Sequence, residues 1–264
     1  MSGPGHVNGS WMTKPVDVYF WPSPNGWKIA IALEEMGLPY ALKPVNIGKG
    51  EQFGAAFMAI SPNNKMPAIV DHDGPDGAAI SVFESGAILQ YLGRKSGQFY
   101  PSDERLRVEV EQWLIWQMAG LGPMAGQASH FINYAPKLVE DQSKIEYGRA
   151  RYVNELNRLY GVMEKRLADR PFLAGEYSIA DMAAWPWTRG AHRLGQSWDD
   201  FPKLKDWVDR IAARPAVRRA LAKGEAVRSK PASQQTPEEA AEQARVLFGQ
   251  TAKSVSEACA ARKL

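Results

Sequence analysis

The sequence predicts an α/β domain followed by an all-α domain. Up to residue 98, runs of strand length that are rich in β-branched and aromatic residues alternate with helical patterns. From residue 104 onward, apolar residues recur at three- and four-residue steps, which is typical of packed helices. We therefore expect an α/β domain over 16–98, a linker over 99–103 and a helical bundle over 104–222. A Gly/Ser/Pro-rich arm, 1–15, and a polar extension, 223–264, flank them.

The α/β domain begins with a strand and a clearly delimited helix. The run Val16–Trp21 is β-branched and aromatic, which predicts the first strand. Ser23 can cap the helix that follows, because its side chain can accept a bond from a backbone N–H of the first turn. Pro24 suits the first helical position, and Gly37 suits the end of the helix. A second strand is predicted over Tyr40–Val45.

A short helix, two short strands and a third helix complete this domain. The helical stretch lies around Phe53–Ile60, and the strands are predicted over Pro67–Asp71 and Ile80–Phe83. The third helix begins near Ser85. The order strand, helix, strand, helix, strand, strand, helix is that of a thioredoxin-like domain.

The segment from Asn63 to Leu92 carries the most specific signal for a ligand. Pro67 cannot donate to a strand ladder, so it belongs at the start of a strand, and its bond to Met66 can be cis. The backbone N–H and C=O of Met66 would then be free to pair with an extended, peptide-like ligand. At the following helix start, Ser85 favours a carboxylate and Glu84 an ammonium. The alternative is that Ser85 and Glu84 only begin a helix.

The second half of the chain contains an amphipathic stripe and a helix start. The apolar stripe has the spacing of one helix face and consists of Ile145, Tyr152, Leu156, Leu159, Tyr160, Met163 and Leu167. Ser178 and Asp181 have the spacing of a capping box, which begins a core helix that includes Trp185. We assign that box a structural role only.

Composition excludes several classes of function. The formal charge of +3 is too small and too scattered to indicate nucleic-acid binding. No transmembrane run and no signal-peptide pattern is present, so we expect a cytoplasmic protein without a membrane partner. The one cysteine, Cys259, cannot form a disulfide framework, and the histidines lack metal-ligand spacing, so no metal site is predicted. Any thiol chemistry must therefore use sulfur that a ligand brings.

Several motifs together resemble the cytosolic glutathione transferase family, over roughly residues 16–222. They are Ser23-Pro24-Asn25-Gly26, Gly48-Lys49-Gly50-Glu51-Gln52-Phe53, Ser61-Pro62-Asn63-Asn64-Lys65, Phe83-Glu84-Ser85-Gly86 and the Ser178–Asp181 box. They look like the bacterial nu-class branch, which is similar to the fungal prion-regulator-like members. The resemblance implies glutathione-dependent reduction of disulfide bonds, with weak or absent conjugation. It also implies two glutathione molecules, or one glutathione disulfide, in each site, and we expect a homodimer.

The resemblance also implies roles for individual residues. Glu84 and Ser85 would hold the γ-glutamyl end of glutathione, and the Met66 backbone would pair with the cysteinyl unit. Gln52 would reach the glycyl end. The remaining implied contacts are Lys65 and Pro67 with the tripeptide, Arg151 with the second glutathione, and Ser23 and Asn25 with the sulfur atoms. Ser23 stands where threonine is more usual in this branch, so the hydroxyl is kept and a methyl group is lost.

Ser23 and Asn25 suit disulfide chemistry for a physical reason. The Ser23 oxygen can accept a capping bond while its O–H donates to a ligand sulfur. A thiol at a helix N-terminus, with the Asn25 amide donating to it, has a lowered pKa, and the thiolate is the species that attacks disulfides. The alternative is that these residues only start a helix. Tyr19 is a second candidate activator of the sulfur, although its place inside the strand favours packing.

We therefore predict a glutathione-dependent disulfide-bond reductase that acts on small disulfides with Ser23 and Asn25 as catalytic residues. Two other functions stay open at this stage. One is conjugation of glutathione to electrophiles, and the other is a non-catalytic glutathione-binding or regulatory module.

Overall fold

The computed structural model describes residues 14–227 and 236–252. Its first part contains a four-stranded sheet in the order β2-β1-β3-β4. The strands are β1 Val16–Phe20, β2 Tyr40–Pro44, β3 Ala68–Asp71 and β4 Ile80–Phe83. Strands β1 and β2 are parallel, whereas β3 is antiparallel to both β1 and β4. The parallel pair needs a crossover connection, which helix α1, Pro24–Met36, supplies.

Helix α1 begins and ends as its sequence predicts. Ser23 has extended backbone angles and its side chain accepts a bond from the Gly26 N–H, and Gly37 ends the helix in the left-handed region at φ 66°. Gly26 is required by close packing, because a Cβ atom there would lie 2.3 Å from the Trp21 carbonyl oxygen. The helix is buried along most of its length, so its first turn is held firmly against the end of β1.

Two further helices complete the sheet domain. They are α2, Ala55–Ile60, and α3, Ser85–Ser96. The Met66–Pro67 bond before β3 is cis, and Glu84, directly before α3, has a positive φ of 68°. The predicted thioredoxin-like order of elements is confirmed. Residues 97–103 connect α3 to the next helix, and the division into domains at 98 and 104 remains our proposal.

The second part of the chain is helical. Its helices are α4 Glu104–Trp116, α5 Gly122–Ser129, α6 Ala135–Leu138, α7 Ser143–Arg166, α8 Ile179–Thr188, α9 Pro202–Ala212 and α10 Pro215–Glu225. Turns of π-helix, Gln117–Leu121 and His130–Tyr134, join α4 to α5 and α5 to α6. Helix α1 packs against α8 and α10, and one core cluster runs through both parts.

The predicted capping box at the start of α8 is confirmed. Ser178 accepts a bond from the backbone of the first turn, and Asp181 accepts one from the Ser178 N–H at 3.1 Å. Asp181 is fully buried and also accepts bonds from the Leu173 N–H at 3.0 Å and from Trp207 Nε1 at 2.9 Å. The box therefore joins the helix start to a loop and to α9.

The described part of the C-terminal extension is a helix that lies across the two domains. Helix α11, Pro237–Phe248, begins with a capping box of Thr236 and Glu239. It packs against α6 and against the short helical turn Ile47–Lys49 of the sheet domain. The contact is close, because a Cβ atom on Gly48 would lie 2.8 Å from Gln243 Nε2. Cys259 and most of the arm 1–15 lie outside the described residues. Within 14–227 and 236–252, no helix has the length and apolar character needed to cross a membrane.

Candidate functional site

Two adjoining cavities lie between the sheet domain, the helical domain and α11. The sheet-side cavity, about 350 Å³, is lined by Asn25, Ile47, Gln52, Asn63, Asn64, Lys65, Met66, Pro67, Glu84, Ser85, Met118 and Leu247. The helix-side cavity, about 570 Å³, is lined by Asn25, Lys28, Glu84, Gln117, Met118, Gly122, Pro123, Gly126, Gln127, His130, Trp187 and Phe248. Asn25, Glu84 and Met118 line both, so the cavities meet at the N-terminus of α1.

The structure brings most of the predicted site residues together. Those that line the sheet-side cavity are Asn25, Gln52, Lys65, Met66, Pro67, Glu84 and Ser85. Ser23 lies beside it, since its hydroxyl is 3.8 Å from Met66 Sδ. Arg151 lines neither cavity. Its half-exposed side chain lies on α7 and pairs with Glu155 at 3.7 Å. The predicted contact between Arg151 and a second glutathione stays a prediction.

Asn25 is oriented by the helical domain. Trp187 Nε1 on α8 donates to Asn25 Oδ1 at 3.1 Å. Because an indole N–H can only donate, this bond fixes which end of the Asn25 amide faces Trp187. The Asn25 Nδ2 group then remains as a donor for a ligand at the junction of the two cavities. Sequence reasoning found Asn25 but not Trp187, which is 162 positions away.

The N-terminus of α3 forms part of the wall of the sheet-side cavity. Ser85 is nearly fully buried at the first position of α3, where backbone N–H groups have no partner within the helix. Its hydroxyl donates to Met118 Sδ at 3.5 Å. Glu84 is exposed toward the cavity and accepts a bond from Asn63 Nδ2 at 3.4 Å. This part of the wall therefore combines donors for an anion with a carboxylate for a cation.

Gln52 and Lys65 also line the sheet-side cavity. Gln52 is 2 % exposed; its Nε2 donates to the Ile47 carbonyl at 3.2 Å, and its Oε1 has no partner among the described residues. The Lys65 side chain is exposed, and it forms no ion pair within the described parts of the chain. The Lys65 ammonium can meet a carboxylate of a ligand, and the Gln52 amide can meet a peptide group.

Lys28 is the main residue of the site that sequence reasoning missed. Its side chain is 1 % exposed, and its Nζ donates to Gln117 Oε1 at 2.7 Å, to Ser85 Oγ at 3.2 Å and to Met118 Sδ at 3.3 Å. Burial lowers the pKa of Lys28 to about 7, and the charge of Glu84 opposes that shift. One signal was available in the sequence, because Lys28 is the only charged residue in the apolar run Trp27–Leu33.

The far wall of the helix-side cavity is aromatic and includes the C-terminal extension. His130 packs edge-on against Phe248 of α11, with ring centroids 4.5 Å apart, and Tyr134 packs on the same ring at 5.0 Å. Burial lowers the pKa of His130, which favours a neutral ring. Leu247, the neighbour of Phe248, lines the sheet-side cavity. Helix α11 therefore contributes a side chain to each cavity.

Tyr19, the second candidate for activating a sulfur, is not part of either cavity lining. Its ring packs against Phe57 of α2 at 5.9 Å. Among the described residues, no cluster of three or more His, Cys, Asp or Glu side chains is arranged to hold a metal ion.

Comparison with known proteins identifies the family. The N-terminal domain of glutathione S-transferases matches residues 22–95, and the C-terminal domain of the same family matches residues 128–215. The chain belongs to the glutathione S-transferase family. The family and the branch expected from the sequence motifs are confirmed.

Within this family, the chain is similar to proteins with disulfide chemistry. It is 49% identical to the disulfide-bond oxidoreductase YfcG of Escherichia coli, over 80% of this chain and 96% of the relative. A glutathione transferase from Pseudomonas fluorescens, solved with two glutathione molecules bound, has a TM-score of 0.73 and 43% identity, and the match covers 78% of this chain and 92% of that one. A glutathione transferase from Pseudomonas putida, solved with one glutathione disulfide bound per subunit, has a TM-score of 0.73 and 42% identity, and the match covers 78% of this chain and 90% of that one.

Proposed function

We propose that this protein is a glutathione-dependent disulfide-bond oxidoreductase, in which bound glutathione supplies the reacting thiols. The observation that carries the proposal is the polar pattern along the sheet-side cavity. The lining combines the α3 N-terminus and the Glu84 carboxylate with the Lys65 ammonium. Glutathione has a carboxylate and an ammonium at its γ-glutamyl end and a carboxylate at its glycyl end, so its charges match this pattern.

The tripeptide would lie with its sulfur where the two cavities meet. Ser85 and Glu84 would hold the γ-glutamyl group, the Met66 backbone would pair with the cysteinyl unit, and Gln52 and Lys65 would bind the glycyl end. The sulfur then faces the α1 N-terminus, where Asn25 Nδ2 and the Ser23 hydroxyl can donate to it. These donors and the helix dipole favour the thiolate.

The helix-side cavity would receive the disulfide or a second glutathione. In the first step the glutathione thiolate attacks one sulfur of the disulfide, forms a mixed disulfide and displaces the other half as a thiolate. A second glutathione thiolate then attacks the glutathione sulfur of the mixed disulfide. The products are glutathione disulfide and two substrate thiols, so two glutathione molecules supply both electrons. Donors at the α1 N-terminus stabilise the attacking and the leaving sulfur alike.

We propose further that the protein acts in the cytoplasm, which contains reduced glutathione, and that it forms a homodimer. Apolar side chains are exposed at the end of β4 and on one face of α4: Phe83 is 38% exposed, Val108 38% and Ile115 57%. Val108 and Ile115 are two helical turns apart and so lie on the same face. Exposed apolar groups of this kind favour a protein interface. Sedimentation equilibrium should give the mass of two chains, and a single-chain mass would contradict the dimer.

The reaction is tested by removing the one cysteine of the chain. Cys259→Ala should reduce bis(2-hydroxyethyl) disulfide with glutathione at an undiminished rate, because the ligand supplies the thiols. Asn25→Ala is the matched variant in the site, and it should lower the rate far more than it weakens glutathione binding. Loss of activity in Cys259→Ala would contradict the proposal. Turnover only with a chloronitroarene would indicate conjugation, and binding without turnover in either assay would indicate a non-catalytic module.

A further inference from the structure

Lys28 is a buried cation whose contacts are all uncharged. Its Nζ atom donates to an amide oxygen, a hydroxyl and a thioether, and within the described residues no carboxylate lies at ion-pair distance from it. Moving an ammonium out of water without a counter-charge is costly. Lys95, a partly buried lysine of α3, instead forms an ion pair with Asp71 at 2.8 Å. A buried ammonium that lines a cavity therefore suggests an anionic ligand.

A second donor beside Lys28 points to the same kind of ligand. Gln117 is fully buried and its Oε1 accepts the Lys28 bond, but its Nε2 has no partner among the described residues. Buried amide N–H groups are almost always paired in folded proteins. Gln117 and Lys28 both line the helix-side cavity, next to the α3 N-terminus. An ammonium that contacts the first residue of α3 and an unpaired amide beside it thus line the same cavity.

Ser85 connects this cluster to the predicted γ-glutamyl position. Because the Ser85 oxygen accepts a bond from Lys28 Nζ at 3.2 Å, its own proton must be directed elsewhere. It is directed at Met118 Sδ, which is a weak acceptor. A carboxylate is a much stronger acceptor, and a hydroxyl that already accepts from an ammonium donates more strongly.

We infer that Lys28 selects ligands that have an α-carboxylate on the γ-glutamyl unit, by polarising the Ser85 hydroxyl and supplying the positive charge that the carboxylate requires. Lys28 is thus a positioning residue for glutathione, with Ser85 as the group in contact. This inference rests on glutathione as the ligand of the proposed function, but it does not depend on the reaction.

The charged groups around Lys28 come from several elements. Glu84 precedes α3, and His130 lies across the helix-side cavity. Arg189, after α8, stacks on Trp27. Near the other end of α1, Glu35 pairs with Arg214, which directly precedes α10, and Glu34 pairs with two cations of α10. Of these charges, only that of Glu84 favours the ammonium form of Lys28 to a notable extent.

The test uses three thioether ligands that cannot take part in disulfide exchange. S-methylglutathione has both charged groups of the γ-glutamyl unit. S-methyl-(glutaryl-Cys-Gly) keeps the carboxylate and lacks the ammonium, whereas S-methyl-(4-aminobutanoyl-Cys-Gly) keeps the ammonium and lacks the carboxylate. Dissociation constants are measured by calorimetry for the unmodified chain, for Lys28→Met and for the control Lys95→Met, which removes a partly buried lysine that lines neither cavity.

Lys28→Met should weaken the binding of the two ligands that keep the γ-glutamyl carboxylate by about 10- to 100-fold, as expected for loss of a hydrogen-bonded charge. The dissociation constant of the third ligand, which lacks that carboxylate, should change by less than about twofold. Lys95→Met should not distinguish the three ligands. Equal weakening of all three by Lys28→Met, or no weakening of any, would overturn the inference. If Lys28→Met does not fold, as judged by circular dichroism, Lys28→Gln is used with the same criteria.

The failure of this inference can be distinguished from failure of the proposed function. If the unmodified chain does not bind S-methylglutathione, glutathione is not the ligand and the proposed function fails as well. If it binds tightly but Lys28→Met shows no selectivity for the carboxylate, only the role of Lys28 is wrong.

Discussion

The hydrogen bond between Trp187 and Asn25 should contribute measurably to catalysis. Trp187→Phe keeps an aromatic ring beside α5 but removes the N–H that holds Asn25 Oδ1 at 3.1 Å. The Asn25 amide can then rotate and present its oxygen, rather than its Nδ2, to the sulfur. A neutral hydrogen bond of this kind contributes about 0.5–1.5 kcal/mol. If that energy maintains the reactive orientation, kcat/KM for disulfide reduction should fall about two- to twelvefold.

The assay is steady-state reduction of bis(2-hydroxyethyl) disulfide by glutathione, measured for a double-mutant cycle of Trp187→Phe and Asn25→Ala. Once the Asn25 amide is absent, Trp187→Phe has no bond to break, so the double variant should be about as active as Asn25→Ala alone. Trp198→Phe is the matched control, because Trp198 is a partly buried tryptophan that lines neither cavity. It should retain the rate of the unmodified chain.

Additive effects would refute this reasoning. If Trp187→Phe lowers kcat/KM as much in the Asn25→Ala background as in the unmodified chain, Trp187 acts by shaping the cavity wall. An unchanged rate in Trp187→Phe would show that the amide orientation is held by other contacts.

Two further predictions concern stability and pH. The Asp181 carboxylate accepts hydrogen bonds from the Ser178 N–H and the Leu173 N–H, and Asp181→Asn places an NH₂ group against one of these donors. Urea unfolding should show that the free energy of unfolding falls by about 3 kcal/mol in Asp181→Asn and by about 1 kcal/mol in Ser178→Ala. Equal losses in the two variants would contradict the role of the carboxylate. Because the pKa of Lys28 is about 7 and a bound carboxylate must raise it, S-methylglutathione binding should be strongest at low pH, where Lys28 is charged. Binding should weaken about tenfold from about pH 7 to about pH 8.5 in the unmodified chain and be nearly independent of pH in Lys28→Met. The same pH profile in both proteins would rule Lys28 out as the titrating group.

Features that depend on a few neighbouring residues could be predicted from the sequence. The cap at Ser23 and the box at Ser178 and Asp181 are local, because a helix start needs only the residues of its first turn. The thioredoxin-like order followed from the length and pattern of each segment. Most of the residues inferred from the family resemblance line one cavity, since they come from short motifs at the ends of strands and helices. Arg151 is different, because it lies in the middle of a long helix where no local feature indicates which surface it serves.

The sequence by itself determined the family and the two-domain fold, and it predicted residues that would match a tripeptide ligand. Only the tertiary structure decided which groups surround Ser85 and the junction of the two cavities. Lys28, Gln117, Trp187 and Phe248 come from α1, a π-helical turn, α8 and α11, and no local pattern relates them. The physical reason is that burial, the partner of a charge and the orientation of an amide depend on contacts between distant segments. A lysine on an exposed helix face would be an ordinary solvated charge, and packing alone makes Lys28 a buried ammonium beside Ser85.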